Sequence, residues 1–138
     1  MKRICVIDGQ GGGIGSTVIK RLKDAYRESI EIIAIGTNAI ATAQMLKARA
    51  NRGATGENAI VVMVNQVDVI IGPVSIIMAN AMMGEVTPKI AEAISSTSAR
   101  KILIPLSQEN TEIIGTPSIP LPHLIDLLMN ENLSKYME

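Results

Sequence analysis

The chain places five glycines within seven residues, directly after the short apolar stretch Ile4-Cys5-Val6-Ile7. The run that follows is Asp8-Gly9-Gln10-Gly11-Gly12-Gly13-Ile14-Gly15-Ser16-Thr17. Glycine lets a backbone turn sharply and approach a ligand with no Cβ in the way, and a helix after such a turn aims free N–H groups at an anion. The run therefore predicts a strand, a tight turn and a helix that bind a nucleotide or phosphate. A tight strand-to-helix turn that binds nothing is the alternative.

Apolar runs that end in polar or glycine-rich turns alternate with helical patterns along the rest of the chain, which is typical of a parallel sheet with crossover helices. Strands are predicted at residues 3–7, 30–35, 67–73, 101–106 and 111–115, and helices at 16–28, 39–50, 59–64, 74–83, 87–95 and 123–135. Residues 1–138 are thus expected to form a single α/β domain. It is a Rossmann-like three-layer sandwich, with a mostly parallel sheet of about five strands and helices on both faces.

For two of these elements the prediction depends on the length of a connecting loop. Residues 59–64 have strand propensity, but two residues cannot join them to a parallel strand that starts at Val67, so a short helix is favoured over a hairpin. The loop at residues 107–110 is also too short for a parallel crossover. The last strand is therefore predicted to be antiparallel.

The composition of the chain limits the classes of partner that we expect. Thirteen basic residues balance thirteen acidic ones, so no net charge attracts nucleic acid or an anionic membrane, and the absence of Phe and Trp leaves few platforms for base stacking. No apolar run is long enough to span a bilayer, the first residues are too short for a signal peptide, and the single cysteine suits a reducing compartment. We expect a cytoplasmic protein with no nucleic-acid or membrane partner.

The glycine spacing matches known loops only in part. Gly9-x-x-x-Gly13-Ile14-Gly15 fits the turn of short-chain dehydrogenases, except that Asp8 stands where that family usually has Thr, and the G-x-G-x-x-G pattern is met loosely. A variant P-loop is matched in its glycines and Thr17 but lacks both lysines, which neutralise nucleotide phosphates. No Tyr-x-x-x-Lys pair follows either. The loop predicts binding, and whether the protein is an enzyme stays open.

Ligands of open parallel sheets bind outside the carboxyl ends of the strands, which here precede Asp8, Gly36, Gly72 and Leu106. NAD(P) or another nucleotide is the expected ligand, with no metal ion. The turn after the second strand has no acidic residue, so NAD is not specified, and Thr37 and Asn38 are equally suited to cap a helix. The predicted binding residues are Asp8, Gly9, Gln10, Gly11, Gly12, Gly13, Ile14, Gly15, Ser16, Thr17, Thr37, Asn38 and Ser75.

Asp8 has three possible roles: to accept N–H groups of the glycine run, to hold Mg²⁺ against phosphate, or to bind a ligand hydroxyl. The first is favoured. Asp8 and Glu85 are weak candidates for acid–base groups, and with them the chain would be an enzyme acting on a phosphorylated small molecule. A further alternative is a regulatory or structural homo-oligomer without a ligand, joined through a helix that carries Met78, Met82 and Met83. A homo-oligomer is expected in any case.

Four segments of the chain are DGQGGGIGST, GTNAIATAQMLKARANRGATGENAI, DVIIGPVSIIMANAMMGEVTP and Ile119-Pro120-Leu121-Pro122-His123-Leu124-Ile125. Together they resemble a family of short bacterial proteins known only as a domain of unknown function. The resemblance covers essentially the whole chain. It implies a bacterial, cytoplasmic protein and indicates no activity. It also draws attention, without assigning roles, to Asn38, Arg52, Thr55, Glu57, Asn58 and Asn80.

Overall fold

The computed structural model describes residues 1–106, 109–116 and 118–137. Five strands form the sheet: β1 (Lys2–Asp8), β2 (Ile30–Gly36), β3 (Arg52–Thr55), β4 (Val69–Pro73) and β5 (Arg100–Ile104). The α-helices are α1 (Gly13–Tyr26), α2 (Ala39–Lys47), α3 (Glu57–Met63), α4 (Pro88–Ser96) and α5 (Leu121–Leu127). The strand order is β3-β2-β1-β4-β5, and every neighbouring pair is parallel. The chain thus forms the expected α/β fold with a parallel sheet.

The sheet is apolar on both faces because its strands alternate between two cores. Along β1, Ile4 and Val6 pack with the buried residues of α1, α2 and α5, whereas Cys5 and Ile7 pack with those of α3 and α4. Isoleucine supplies most of the largest enclosed side chains, which suits β-branched residues on a pleated surface. Burial raises the pKa of the Cys5 thiol to about 12, so Cys5 is an inert core residue.

The prediction of an antiparallel last strand is wrong, because β5 pairs in parallel with β4. Residues 111–115 form no strand, and the connection at 107–110, of which 107 and 108 lie outside the described residues, leads to no further strand among the described residues that follow. The fifth strand is instead β3, in a segment where no strand was predicted. Its sequence, RGAT, does not alternate between apolar and polar residues. β3 is an edge strand, and the pairing of its backbone with β2 holds it in the sheet.

The structure confirms some of the predicted helices and not others. Residues 57–63 form α3, as favoured, and α4 begins at Pro88 with Thr87 as its N-cap. Residues 74–83 do not form a helix: a 3-10 turn (Val74–Ile77) is followed by turns in which Asn80, Met82 and Met83 have positive φ. The apolar pattern there reflects burial of Ile76, Ala81 and Met82 in the second core. At the end of the chain, α5 continues into a π-helical segment (Leu128–Leu133).

None of the helices in the described residues has both the length and the apolar character needed to cross a membrane.

Gly72 of β4 is expected to be essential to the packing of β4 on β1. A Cβ at this position would overlap the backbone oxygen of Ile7 and lie 2.8 Å from Ile76 Cδ1. We expect Gly72→Ala to lower the free energy of unfolding by about 1–3 kcal/mol, because a backbone oxygen has little room to move. Urea unfolding followed by circular dichroism measures this effect, since the chain has no Trp.

The matched control is Gly13→Ala, since nothing lies within 4 Å of a Cβ placed there. Equal destabilisation by the two substitutions would contradict the packing role of Gly72.

Candidate functional site

Asp8, the last residue of β1, fixes the glycine loop, which we define as residues 9–15. Its Oδ1 accepts the N–H of Gly9 at 2.8 Å, and its Oδ2 accepts the N–H of Gly15 at 2.7 Å. Gly15 is the third residue of α1, so Asp8 supplies the cap that the N-cap residue Gly12 cannot provide. This is the first of the three roles considered for Asp8. The carboxylate thus ties the strand, the turn and the helix together.

The loop turns back on itself between the two amides that Asp8 holds. The N–H of Gly12 donates to the carbonyl oxygen of Gly9 at 2.9 Å, and Gln10 and Gly12 have φ values of 49° and 73°. Positive φ is strained for Gln10 and costs Gly12 little. This turn carries the chain from the end of β1 into the first turn of α1.

Three of the five glycines are required by packing. A Cβ at Gly9 would lie 2.5 Å from both Met82 Sδ and Thr37 Oγ1, and one at Gly15 would lie 2.6 Å from Met45 Sδ. At Gly12 it would lie 2.9 Å from the backbone of Ala41. By contrast, nothing lies within 4 Å of a Cβ at Gly11 or Gly13. Packing therefore does not explain why these two residues are glycines.

The same part of the loop presents backbone N–H groups. The amides of Gly9, Gln10, Gly12 and Gly15 are all occupied by protein acceptors. Those of Gly11, Gly13 and Ile14 make no hydrogen bond with any described residue. Gly13 and Ile14 open α1, a helix of 14 residues whose dipole places partial positive charge at this end. The loop is thus prepared to receive an anionic group beside Gly11 and Gly13.

A cavity of about 710 Å³ lies next to these amides. Its walls come from the glycine loop, from the ends of β4 and β5, and from the segment that follows β4. The lining residues are Asp8, Gly9, Gln10, Gly11, Gly12, Gly13, Ile14, Pro73, Ser75, Asn80, Met82, Met83, Leu106 and Glu109. The strand order reverses between β1 and β4, and this crevice is where ligands of open parallel sheets bind.

Ser75 contributes an unused hydroxyl group to the cavity. The residue is only 5% exposed, and its hydroxyl makes no hydrogen bond with any described residue. Every fully enclosed side-chain polar atom of the described residues has a partner, so the Ser75 oxygen must be accessible from the cavity. A nearly buried hydroxyl without a partner is uncommon in folded proteins. It is a group that a ligand would satisfy.

Glu85 closes the other side of the loop. Its Oε1 accepts three hydrogen bonds: from the N–H of Gln10 at 2.9 Å, from Thr37 Oγ1 at 2.7 Å and from Asn38 Nδ2 at 2.8 Å. Asn38 also donates to the carbonyl oxygen of Gln10 and caps α2 through its Oδ1. The carboxylate thus joins the glycine loop to the turn after β2.

The pKa values of Asp8 and Glu85 are shifted in opposite directions. Burial raises the pKa of Asp8 above its usual value, with the nearby Glu85 charge adding to this effect, although the amides of Gly15 and Gly9 act against it. Burial also raises the pKa of Glu85, but its hydrogen bonds from Gln10, Thr37 and Asn38 together outweigh burial and hold it below the usual value. Glu85 is therefore ionised at neutral pH.

The structure brings together only part of the predicted binding set. Residues 8–14 and Ser75 line the cavity, whereas Gly15 is buried beneath the loop. The hydroxyls of Ser16 and Thr17 return to the carbonyl oxygens of Gly12 and Gly13. Thr37 and Asn38 bind Glu85 and lie outside the cavity lining.

Asn80, Met82 and Met83 line the cavity but were not predicted to do so. Their positive φ values fall in a series of turns closed by backbone hydrogen bonds within residues 78–86, where the apolar pattern had predicted a helix.

Within the described residues, no group of three or more His, Cys, Asp and Glu side chains is placed to hold an ion. Each oxygen of Asp8 already accepts a backbone N–H. The contacts of Asp8 match a role in organising the loop.

The comparisons with known proteins support the family resemblance. The model of a family described as Domain of unknown function (DUF3842) matches residues 3–137, which confirms the resemblance seen in the sequence. Among solved structures, the chain is similar to a crystal structure of a universal stress protein in complex with cAMP. The alignment covers 75% of this chain and 98% of that chain, with 16% sequence identity and a TM-score of 0.43. No curated protein matches the chain.

The negative charge of Glu85 is expected to stabilise the fold at neutral pH. Its pKa lies below the usual 4.5, so its contribution is present above that value and is lost as the pH falls through the lower, folded-state pKa. We expect Glu85→Gln to lower the free energy of unfolding by about 1 kcal/mol at pH 7, because three donors lose a charged acceptor.

Below pH 4.5 the difference between the two proteins should shrink as Glu85 takes up a proton. Glu85→Gln also removes the charge that helps to raise the pKa of Asp8, which partly offsets the loss at neutral pH. Chemical unfolding at a series of pH values measures this difference. A difference that stays constant down to pH 3 would show that the Glu85 charge is not involved.

Proposed function

The chain belongs to the family described as Domain of unknown function (DUF3842), and we propose that it binds a nucleotide, with the phosphate at Gly11 and Gly13 and the rest of the ligand in the cavity at the end of β4. The observation that carries this proposal is the division of the glycine run. Three glycines are explained by packing, and the two that are not line the cavity beside unused N–H groups.

The anion-binding end of the cavity is formed by backbone alone. Gly11, Gly13 and Ile14 offer amides without protein acceptors, and the start of α1 adds roughly half a positive charge. Because Gly11 and Gly13 have no Cβ, a phosphate can approach these amides closely. This geometry suits a phosphate ester.

The remaining walls suit a sugar and a base. Ser75 supplies a hydroxyl for a polar atom of the ligand, while Pro73, Met82, Met83 and Leu106 supply apolar surface. Methionine packs well against flat rings, and Met83 is 95% exposed and available to do so. The volume of about 710 Å³ is within the range of small-molecule sites.

The strand order supports the same proposal. The order β3-β2-β1-β4-β5 corresponds to the first five strands of the Rossmann fold, which binds nucleotides where the order reverses. We therefore infer a Rossmann-like protein, in keeping with the expectation of NAD(P) or another nucleotide as ligand.

Nucleotides are expected to raise the thermal stability of the protein. A ligand present at 100 times its dissociation constant stabilises the fold by about 2.7 kcal/mol. We expect at least one compound from a panel of nucleoside monophosphates, nucleoside diphosphates and dinucleotides to do so. We expect Gly13→Val to abolish this shift, because the valine side chain would project into the proposed phosphate position. Differential scanning fluorimetry with and without EDTA measures this effect and the need for a metal ion.

Lys20→Ala, an exposed substitution on α1 outside the cavity lining, is the control and should keep the shift. A panel with no stabilising nucleotide would overturn the proposal.

Removal of the Ser75 hydroxyl is expected to affect binding and not folding. Ser75→Ala breaks no hydrogen bond with a described residue, so the free energy of unfolding should change by less than about 0.5 kcal/mol. The affinity for the nucleotide should fall about tenfold, since a ligand hydrogen bond is lost. Isothermal titration calorimetry measures the affinity.

Ser16→Ala removes the same atoms from a serine whose hydroxyl bonds to the Gly12 carbonyl oxygen, and it should leave affinity nearly unchanged. An equal loss in both variants would argue against a ligand contact at Ser75.

A further inference from the structure

We infer that Glu85 restricts the site to mononucleotides: it closes the β2 side of the glycine loop, so that only one nucleotide unit fits, over β4 and β5, and a dinucleotide is excluded. This inference rests on the proposed function and names its ligand class. It makes Glu85 a specificity-determining residue.

A dinucleotide bound to a sheet of this order lies across the crevice, and an acidic residue after the second strand contacts the ribose of its adenosine half. In this protein the corresponding turn has no acid, but the Glu85 carboxylate lies there, within 2.7 Å of Thr37 Oγ1 and 2.8 Å of Asn38 Nδ2. Glu85 belongs to the segment after β4, which lies on the opposite side of β1 from this turn. Its Oε1 is occupied by protein donors, so it fills this half of the site.

The space above Gly9 is filled in the same way. A Cβ at Gly9 would lie 2.5 Å from Met82 Sδ, 2.5 Å from Thr37 Oγ1 and 3.0 Å from Glu85 Oε1. Thr37 and Glu85 therefore meet on the β2 side of the loop, and Met82 lies above Gly9 at the border of the cavity. The cavity lies on the other side, and none of its lining residues belongs to β2 or to the turn after it.

The segment that carries Met82 and Glu85, residues 80–85, is held in a strained conformation. Asn80, Met82 and Met83 have φ values of 69°, 56° and 59°, which are unfavourable for residues other than glycine. Such strain persists only where the surroundings fix it. Here Glu85 holds one end, and Glu109 Oε1 holds the middle by accepting the N–H of Met82 at 2.8 Å.

The charges at the site favour a ligand with few phosphates. Among its described lining residues the cavity has two carboxylates, Asp8 and Glu109, and neither Lys nor Arg. The start of α1 offers only about half a positive charge. A single phosphate can be accommodated by three amides, whereas a triphosphate would need cations that the lining does not provide.

The test is a comparison of affinities on the intact protein. Isothermal titration calorimetry with AMP, GMP, CMP, UMP and NMN is set against NAD and FAD. We expect the best mononucleotide to bind at least about tenfold more tightly than either dinucleotide. Equal or tighter binding of NAD or FAD by the wild-type protein would overturn the inference while leaving the proposed function in place. If none of these compounds binds, the proposed function itself fails.

Glu85→Ala tests the cause of the selectivity. Loss of the carboxylate opens the β2 side, so the ratio of dinucleotide to mononucleotide dissociation constants should fall about tenfold or more. Glu85→Gln, which keeps the size of the side chain, should leave the ratio close to that of the wild type. If Glu85→Ala does not fold, as judged by circular dichroism, the wild-type ratio decides. A folded Glu85→Ala with an unchanged ratio would show that Glu85 does not set it.

Discussion

The bridge that Asp8 makes between the amides of Gly9 and Gly15 is the contact on which the rest of the site depends. It fixes both ends of the glycine loop, and it satisfies one N–H of the first turn of α1 without occupying its N-terminal position. The amides of Gly13 and Ile14 stay available for that reason. The carboxylate is buried at 4% exposure, and its two oxygens are engaged by the two backbone N–H donors, which offset its charge.

The glycine loop has two different sides. Toward β2 it is covered by Glu85 and Thr37, and toward β4 it opens on the cavity, which Met82 and Ser75 line. The sheet order creates this difference, because β1 lies between β2 and β4 and the loop follows β1. A strained segment after β4 crosses over Gly9 to reach the β2 side. According to the inference made above, this cover turns a backbone arrangement that suits a dinucleotide into a site for a smaller ligand.

The glycines show why a turn motif does not by itself identify a binding site. Gly9, Gly12 and Gly15 are explained by neighbours that leave no room for a Cβ, which is the purely structural interpretation of the run. Gly11 and Gly13 have open space on the cavity side. Packing therefore accounts for three of these glycines, and ligand access is the role proposed for the other two, so substitutions at the two kinds of glycine should separate stability from binding.

The sequence alone determined the strand, turn and helix around the glycine run and an α/β architecture with a mostly parallel sheet, because these follow from local conformation and apolar runs. The family was indicated by the resemblance of four segments of the chain. The sequence did not reveal β3, whose RGAT sequence is held only by pairing with β2, nor the true course of residues 74–83. Only the tertiary structure placed Glu85 at the turn after β2 and Met82 above Gly9. These contacts join residues 48 and 73 positions apart, and no local pattern encodes them, because they depend on how the sheet brings its carboxyl ends together.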